Sequence, residues 1–195
     1  MVRAAEAKRA AIVEAAAEQF HHGGIQGTAL ADVARAAAVA PGNMFTYFRT
    51  KDALSEAVAE RWTKRVTAIV GELDAATPDP LARIRLFLDR SRDNAPAYAK
   101  RGCPLAMLSR DFRQLSLAAE PAAEPFRVLT GWLTDQLQAA ADPRAERHAR
   151  FLLATLQGAF VLAHAEGDAG QVEDMVDELQ NWLGALGLGK ATPTA

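Results

Sequence analysis

The chain is expected to be all-α. Apolar residues recur at helical spacing along its length, no segment alternates apolar and polar residues like a strand, and glycines and prolines divide it into about nine segments. That is well above an ordinary helix content of about a third of residues.

Taken in order, Ile12, Val13, Ala16, Ala17 and Phe20 form the buried stripe of a first helix, which gives way to Gly23, Gly24 and Gly27. Thr28 then suits an N-cap, its hydroxyl accepting from backbone N–H groups of the next turn. Leu30, Val33, Ala34 and Ala37 make the apolar face of the second helix. Pro41, whose fixed φ fits a first helical turn, opens a third that runs only to about Phe48. Met44, Phe45 and Phe48 give it an apolar side, which leaves Pro41, Gly42, Asn43, Thr46 and Tyr47 for the outer face. Thr50 caps a long fourth helix carrying Leu54, Val58, Trp62, Val66, Ile69, Val70 and Leu73, which ends before Pro78-Asp79-Pro80. Lys51 at its start opposes the helix dipole. A phosphate approaching that terminus would explain it.

Leu81, Ile84, Phe87, Leu88 and Ser91 line a fifth helix that ends at Ala95-Pro96, and a short sixth follows Gly102-Cys103-Pro104. A polar stretch leads through Pro121 and Pro125 to a seventh with Phe126, Leu129, Leu133 and Leu137. Asp142-Pro143 reads as an N-cap and first helical residue. The eighth helix it opens carries Leu152, Leu153, Leu156, Phe160 and Ala163 and closes at Gly167. Val172, Met175, Val176, Leu179, Trp182, Leu183 and Leu186 mark the ninth, and Gly187 to Ala195 reads as a frayed tail.

Two short helices, a tight turn and a capped third helix between Thr28 and Leu54 outline a helix-turn-helix. Small and polar residues at the start of the second of the pair keep bulk away from base edges, so that helix can enter a major groove. Periodicity alone would also fit a generic pair of core helices.

The ordered motif decides between them. The segment resembles the TetR-type transcriptional regulators, whose N-terminal pattern has a phenylalanine, a glycine-containing turn, a threonine, a helix ending in Ile-Ala, then Gly-Val-Ser-x-Gly-x-x-Tyr-x-x-Phe-x-x-Lys-Glu-x-Leu. Phe20, Gly24, Thr28, Val33-Ala34, Val39, Gly42, Phe48, Lys51, Asp52 and Leu54 take those places in order. Ala38, Ala40 and Phe45 depart from it, replacing a turn glycine, a serine and a tyrosine whose hydroxyl often reaches a phosphate. The resemblance therefore implies DNA contacts from Thr28, Pro41, Gly42, Asn43, Thr46, Tyr47 and Lys51, with Phe45 reduced to packing and Arg3, Lys8 and Arg49 as further support. It also implies a helix-turn-helix head over residues 1–48 and a helical ligand-binding and dimerisation body over 49–195. Double-stranded operator DNA, a second copy of the chain and a small-molecule inducer are the expected partners, with repression the expected mode and no cofactor.

Composition agrees with such a protein. No apolar run approaches the roughly 20 residues needed to cross a bilayer, and the N-terminus lacks the apolar block of a secretory signal. With a single cysteine, Cys103, an internal disulfide is excluded and a cytoplasmic location is expected. The net charge of −2 divides unevenly: residues 1–65 hold nine Lys/Arg against seven Asp/Glu, the remainder thirteen against seventeen. Attraction to phosphate is weak at this charge, so binding depends on a few placed contacts.

Trp62, Phe87, Met107, Trp132, Phe160 and His164 are candidate lining residues for an inducer pocket, with ordinary core packing as the alternative for each. Cys103 sits at the N-cap position of the helix that Pro104 opens, after Lys100 and Arg101, a setting that favours thiolate. The segment around it resembles a stretch in a subset of TetR-type repressors. Some of these sense electrophiles or oxidants through the cysteine and others do not, so a sensor and an inert thiol both remain open. The wide apolar faces of the last two helices, with Leu152, Leu153, Trp182 and Leu183, suit either a core or a two-fold interface. Catalysis is not expected. His21, His22, His148 and His164 lack metal-ligand spacing, and no phosphate loop or nucleophile motif occurs. A helical adaptor that binds only protein is the remaining alternative.

Overall fold

A computed structural model describes residues 2–188. The expected tail from Gly187 lies outside the described residues after Leu188. The described chain consists of α1 (Val2–Gly27), α2 (Leu30–Ala36), a 3-10 turn (Pro41–Asn43), α3 (Met44–Tyr47), α4 (Lys51–Ala76), α5 (Pro80–Asp93), α6 (Ala95–Arg101), α7 (Pro104–Gln114), α8 (Ala119–Ala139), α9 (Ala145–Glu166) and α10 (Gly170–Ala185). The all-α expectation holds, with one helix more than the sequence suggested. The addition is α6: Ala95-Pro96 was expected to end a helix, but Pro96 lies in the first turn of a new one, where its missing N–H is no loss. The same effect moves the start of α8. Pro121 sits in its first turn and Pro125 in its interior, so the expected polar stretch before Phe126 is partly helical.

The chain forms two compact units. One comprises Met1–Arg65 with Pro104–Pro125, the other Val66–Cys103 with Phe126–Ala195. The expected head over 1–48 thus belongs to a larger unit, for a physical reason. One long and two short helices bury little apolar surface by themselves, and Leu108, Phe112 and Ala122 complete the core formed by Ile12, Ala16, Phe20, Ile25, Val33, Ala34, Met44, Phe48, Leu54 and Val58. Glu14 on α1 accepts from Arg61 on α4 at 2.8 and 2.6 Å. That hydrogen bond, with the arginine's charge, lowers the Glu14 pKa below the usual carboxylate value.

In the second unit, α10 packs on α9 and α5, and α6 packs on α9. Asp79 is the N-cap of α5, accepting from the Leu81 N–H at 2.9 Å. Asp142 does not cap α9 in the expected way. That helix begins at Ala145, and the buried Asp142 carboxylate accepts from the Arg144 N–H at 3.0 Å while its other oxygen meets His148 Nδ1 at 2.6 Å. The preceding helix, α8, is closed by the residue just before Asp142, Ala141, at φ 61.

Ala38 ends α2 in the same manner. The Val39 N–H returns to the Ala34 carbonyl at 2.9 Å and the Ala38 N–H to Arg35 at 3.1 Å, a Schellman closure that places Ala38 at φ 53. Ala38, read as the replacement of a turn glycine, therefore carries the steric cost of a left-handed conformation. Ala38→Gly is expected to raise stability by about 0.5–1 kcal/mol, the relief of that cost less the added freedom of the unfolded chain. In a thermal melt this amounts to a rise of about 1–4 °C, and an unchanged or lowered midpoint would contradict it.

Candidate nucleic-acid interface

The first unit builds its outward face from a turn held at both sides. α1 is broken at Gly24, whose φ of 72 is left-handed, and a side chain there would place its Cβ 3.0 Å from Asp111 Oδ2. Only glycine fits both conditions. Asp111 on α7 is buried and accepts from the Ile25 N–H at 2.8 Å, while Arg110 donates to its other oxygen at 2.9 Å. Lys51 Nζ donates to the Ile25 carbonyl at 2.9 Å and to that of Gln26 at 3.3 Å. The lysine that opposes the dipole of α4 thus satisfies the end of α1, where a cation is favourable. Its place at a helix start is explained within the protein, without a phosphate.

Thr28 also differs from expectation. It is 7% exposed, and its hydroxyl donates back to the Gly24 carbonyl at 2.8 Å, with Gln19 O at 3.3 Å. The N-cap of α2 is Ala29, without a side-chain cap. Thr28 therefore shapes the turn, and its hydroxyl faces inward. Thr50 caps as expected, accepting from the Ala53 N–H at 3.1 Å.

The reading pair falls where the sequence placed it. Val33 and Ala34 bury the inner side of α2, and Met44 and Phe48 that of α3. Pro41, Gly42, Asn43, Thr46 and Arg49 are exposed, and Tyr47 is half-buried with its ring against the core. Phe45 corrects the expectation of packing: it is 61% exposed. On so short a helix, Met44 and Phe48 are one full turn apart and take the inner face, which turns Phe45 outward. Arg3, Lys8 and Arg9 are exposed on α1, and the Arg9 guanidinium lies 4.8 Å from the centre of the Phe48 ring.

The expected pocket residues divide between the units. Trp62 and Met107 belong to the first, where Trp62 lies under the Arg61 guanidinium at 4.4 Å. In the second, Trp132 donates from its indole to Asp74 at 2.9 Å and meets Phe87 edge-on at 5.9 Å. Phe160 stacks on Tyr98 at 3.8 Å, and His164 Nδ1 lies 3.2 Å from the Ala99 carbonyl. Burial, and secondarily Cys103 nearby, push the Tyr98 phenol above its usual pKa. Cys103 itself is 7% exposed.

The second unit also carries an exposed apolar row. From Phe151 to Ala165 the sequence of α9 has no Asp, Glu, Lys or Arg. Leu152, Leu153, Leu156, Ala159, Phe160 and Ala163 use one side of the helix for the core, and Phe151, Val161 and Leu162 stand out on the other at 46%, 62% and 49% exposure. Leu152, Leu153 and Leu183, which suited either a core or an interface, are buried in the chain's own core. Trp182 is half-buried, 4.9 Å from the Phe151 ring and 5.2 Å from His148.

Comparison with known proteins agrees with this geometry. Residues 12–58, the core of the reading unit, match the family described as bacterial regulatory proteins, tetR family. The HTH-type transcriptional regulator RutR of Escherichia coli O157:H7 is 33% identical over 158 residues, covering 73% of this chain and 69% of RutR. The chain belongs to the TetR family. Another TetR-family relative, the HTH-type transcriptional regulator BetI of Burkholderia thailandensis, is 27% identical over 155 residues, with 78% of this chain and 80% of BetI covered. Among solved structures, a TetR regulator from Chloroflexus aurantiacus superposes with a TM-score of 0.81 at 23% identity over 93% of this chain and 96% of its own. The reduced form of Escherichia coli NemR gives 0.77 at 18% identity, covering 89% and 95%. These two likenesses establish the fold. The TetR-family chain is a DNA-binding transcriptional regulator, and the reading as a protein-only adaptor is not favoured. No described helix is long and apolar enough to cross a membrane.

Proposed function

We propose that this TetR-family protein is a cytoplasmic repressor that binds a palindromic operator as a homodimer and is released by a small molecule held in its helical body. The observation that carries this reading is the exposed face from Pro41 to Thr46 above the buried Met44 and Phe48. Asn43 and Thr46 would contact base edges, and the Tyr47 hydroxyl a phosphate. Pro41 and Gly42 permit close approach, since a side chain at Gly42 would meet nothing within 4 Å. Lys51 has three donors, of which two serve carbonyls and one is left for a phosphate. Thr28 acts through the turn it holds. For the inducer, Phe87, Trp132, Phe160 and His164 are the lining candidates of the second unit. Burial of Cys103 supports a noncovalent inducer over an electrophile, because reactive cysteines are partly exposed. The ligand would act by binding one spacing of the two heads better than the other.

The test is footprinting of the purified protein on DNA flanking its own gene, followed by the Asn43→Ala and Thr46→Ala double variant. A protected palindrome with half-sites about 34–36 Å apart is expected. The variant should lose about 10–100-fold in operator affinity while its binding to unrelated DNA stays unchanged, since base contacts specify and phosphate contacts position. Equal affinity of parent and variant for the operator would refute the assignment of these two residues.

A further inference from the structure

We propose that Phe45 is a base-reading residue, its ring packing on the 5-methyl group of a thymine in the major groove. The proposal rests on the DNA-binding reading above and extends it to a side chain for which the sequence had implied only packing.

Phe45 stands apart within its unit. It is 61% exposed, whereas the other exposed large apolar side chains among the described residues, Leu86, Phe151, Val161 and Leu162, all lie in the second unit. It is flanked by Asn43 and Thr46, both exposed, on the helix whose inner face is fixed by Met44 and Phe48. A Phe ring neither donates nor accepts a conventional hydrogen bond, so it cannot read the donor and acceptor pattern of a base edge. What it can detect is the one apolar group on that surface, the thymine methyl. Against guanine, adenine or cytosine the ring would strip water from polar edge atoms and return no hydrogen bond, which is unfavourable. The loss of the family's tyrosine hydroxyl at this position is, on this view, the exchange of a phosphate contact for a thymine preference.

The experiment uses the intact protein. An operator is first selected from random-sequence duplexes, and each thymine in it is then replaced singly by uracil, which removes only the methyl group. Binding is measured for the parent, Phe45→Ala and Phe45→Leu. At one position per half-site, uracil should weaken the parent about fourfold, the factor that burial of one methyl group contributes. It should leave Phe45→Ala unaffected, with an intermediate loss for Phe45→Leu. Reselection with Phe45→Ala should relax base choice at the same position alone. If every uracil substitution affects the parent and Phe45→Ala equally, the ring packs on sugar or nothing, and the proposal is overturned while the DNA-binding reading stands. If the parent selects no sequence at all, the DNA-binding reading falls and this proposal with it.

Discussion

Leu162→Glu is expected to convert the proposed homodimer to a monomer at micromolar concentration and to weaken operator binding by about 100-fold or more. The side chain is half-exposed on the outer row of α9 with Phe151 and Val161, in a helix that carries no Asp, Glu, Lys or Arg for fifteen residues. In a two-fold interface each substitution counts twice, and each carboxylate buried without a partner costs on the order of several kcal/mol. The operator effect follows from lost bivalency, since linking two weak heads raises avidity by about 10²–10⁴. In the isolated chain the same change touches only surface and should alter stability by no more than about 0.5 kcal/mol. Light scattering and operator titration on the same samples decide the matter. A dimeric mass with parental operator affinity would remove α9 from the interface.

The all-α class, most helix positions and the reading pair were legible in the sequence because each rests on local rules. Helical spacing placed Ile12, Phe20, Met44 and Phe48 in the core, and Thr50 is the N-cap that its position implied. What escaped the sequence depends on partners distant in the chain. Lys51 looked misplaced because only its own helix was visible. The carbonyls it satisfies are about 25 residues away. Asp111 gave no sign of its role, since its partner, the Ile25 N–H, is 86 residues earlier. Phe45 reads from the sequence as part of one apolar side with Met44 and Phe48, but on a single turn of helix those two take the inner face and leave it outside. Phe151, Val161 and Leu162 share a stretch with buried leucines, and a helix apolar on all sides does not disclose which side is covered. The glycine at Gly24 had the reverse fate: the family pattern places a glycine there, and its physical reason, the left-handed φ and the closeness of Asp111, became visible only in the fold.

These long-range contacts also change which variants report on DNA binding. Replacing Tyr47 and Lys51 together looks like a clean test from the sequence. Loss of Lys51 would, however, also release the Ile25 and Gln26 carbonyls, so a weaker operator complex would have two causes. Asn43 and Thr46 are exposed, and no such ambiguity attaches to their truncation.

The turn itself gives the second large effect. Asp111→Ala is expected to destabilise the protein by about 2 kcal/mol, because it leaves the N–H of the buried Ile25 without its acceptor, and hydrogen bonds to charged groups contribute about 1.5–3 kcal/mol. Asp111→Asn retains an acceptor oxygen and should lose about half as much. Urea denaturation measures the loss, and amide hydrogen exchange locates it. Protection of the Ile25 amide should fall in Asp111→Ala while amides elsewhere in the core fall only with global stability. Unchanged local protection would show that the contact does not hold the turn. Lys51→Met probes the other side of the same residue, since the Ile25 carbonyl is bound by Lys51 and its N–H by Asp111. Loss of either anchor loosens the residue that the other binds, so removing the second after the first should cost less than removing it from the parent. A double-variant loss smaller than the sum of the single losses by about 0.5 kcal/mol or more is the expected coupling, and strict additivity would mean that the two anchors act on independent segments. Operator affinity measured on Asp111→Ala and Asp111→Asn, which leave Lys51 in place, should follow the protection of Ile25 rather than the global stability, because this turn sets where α2 begins.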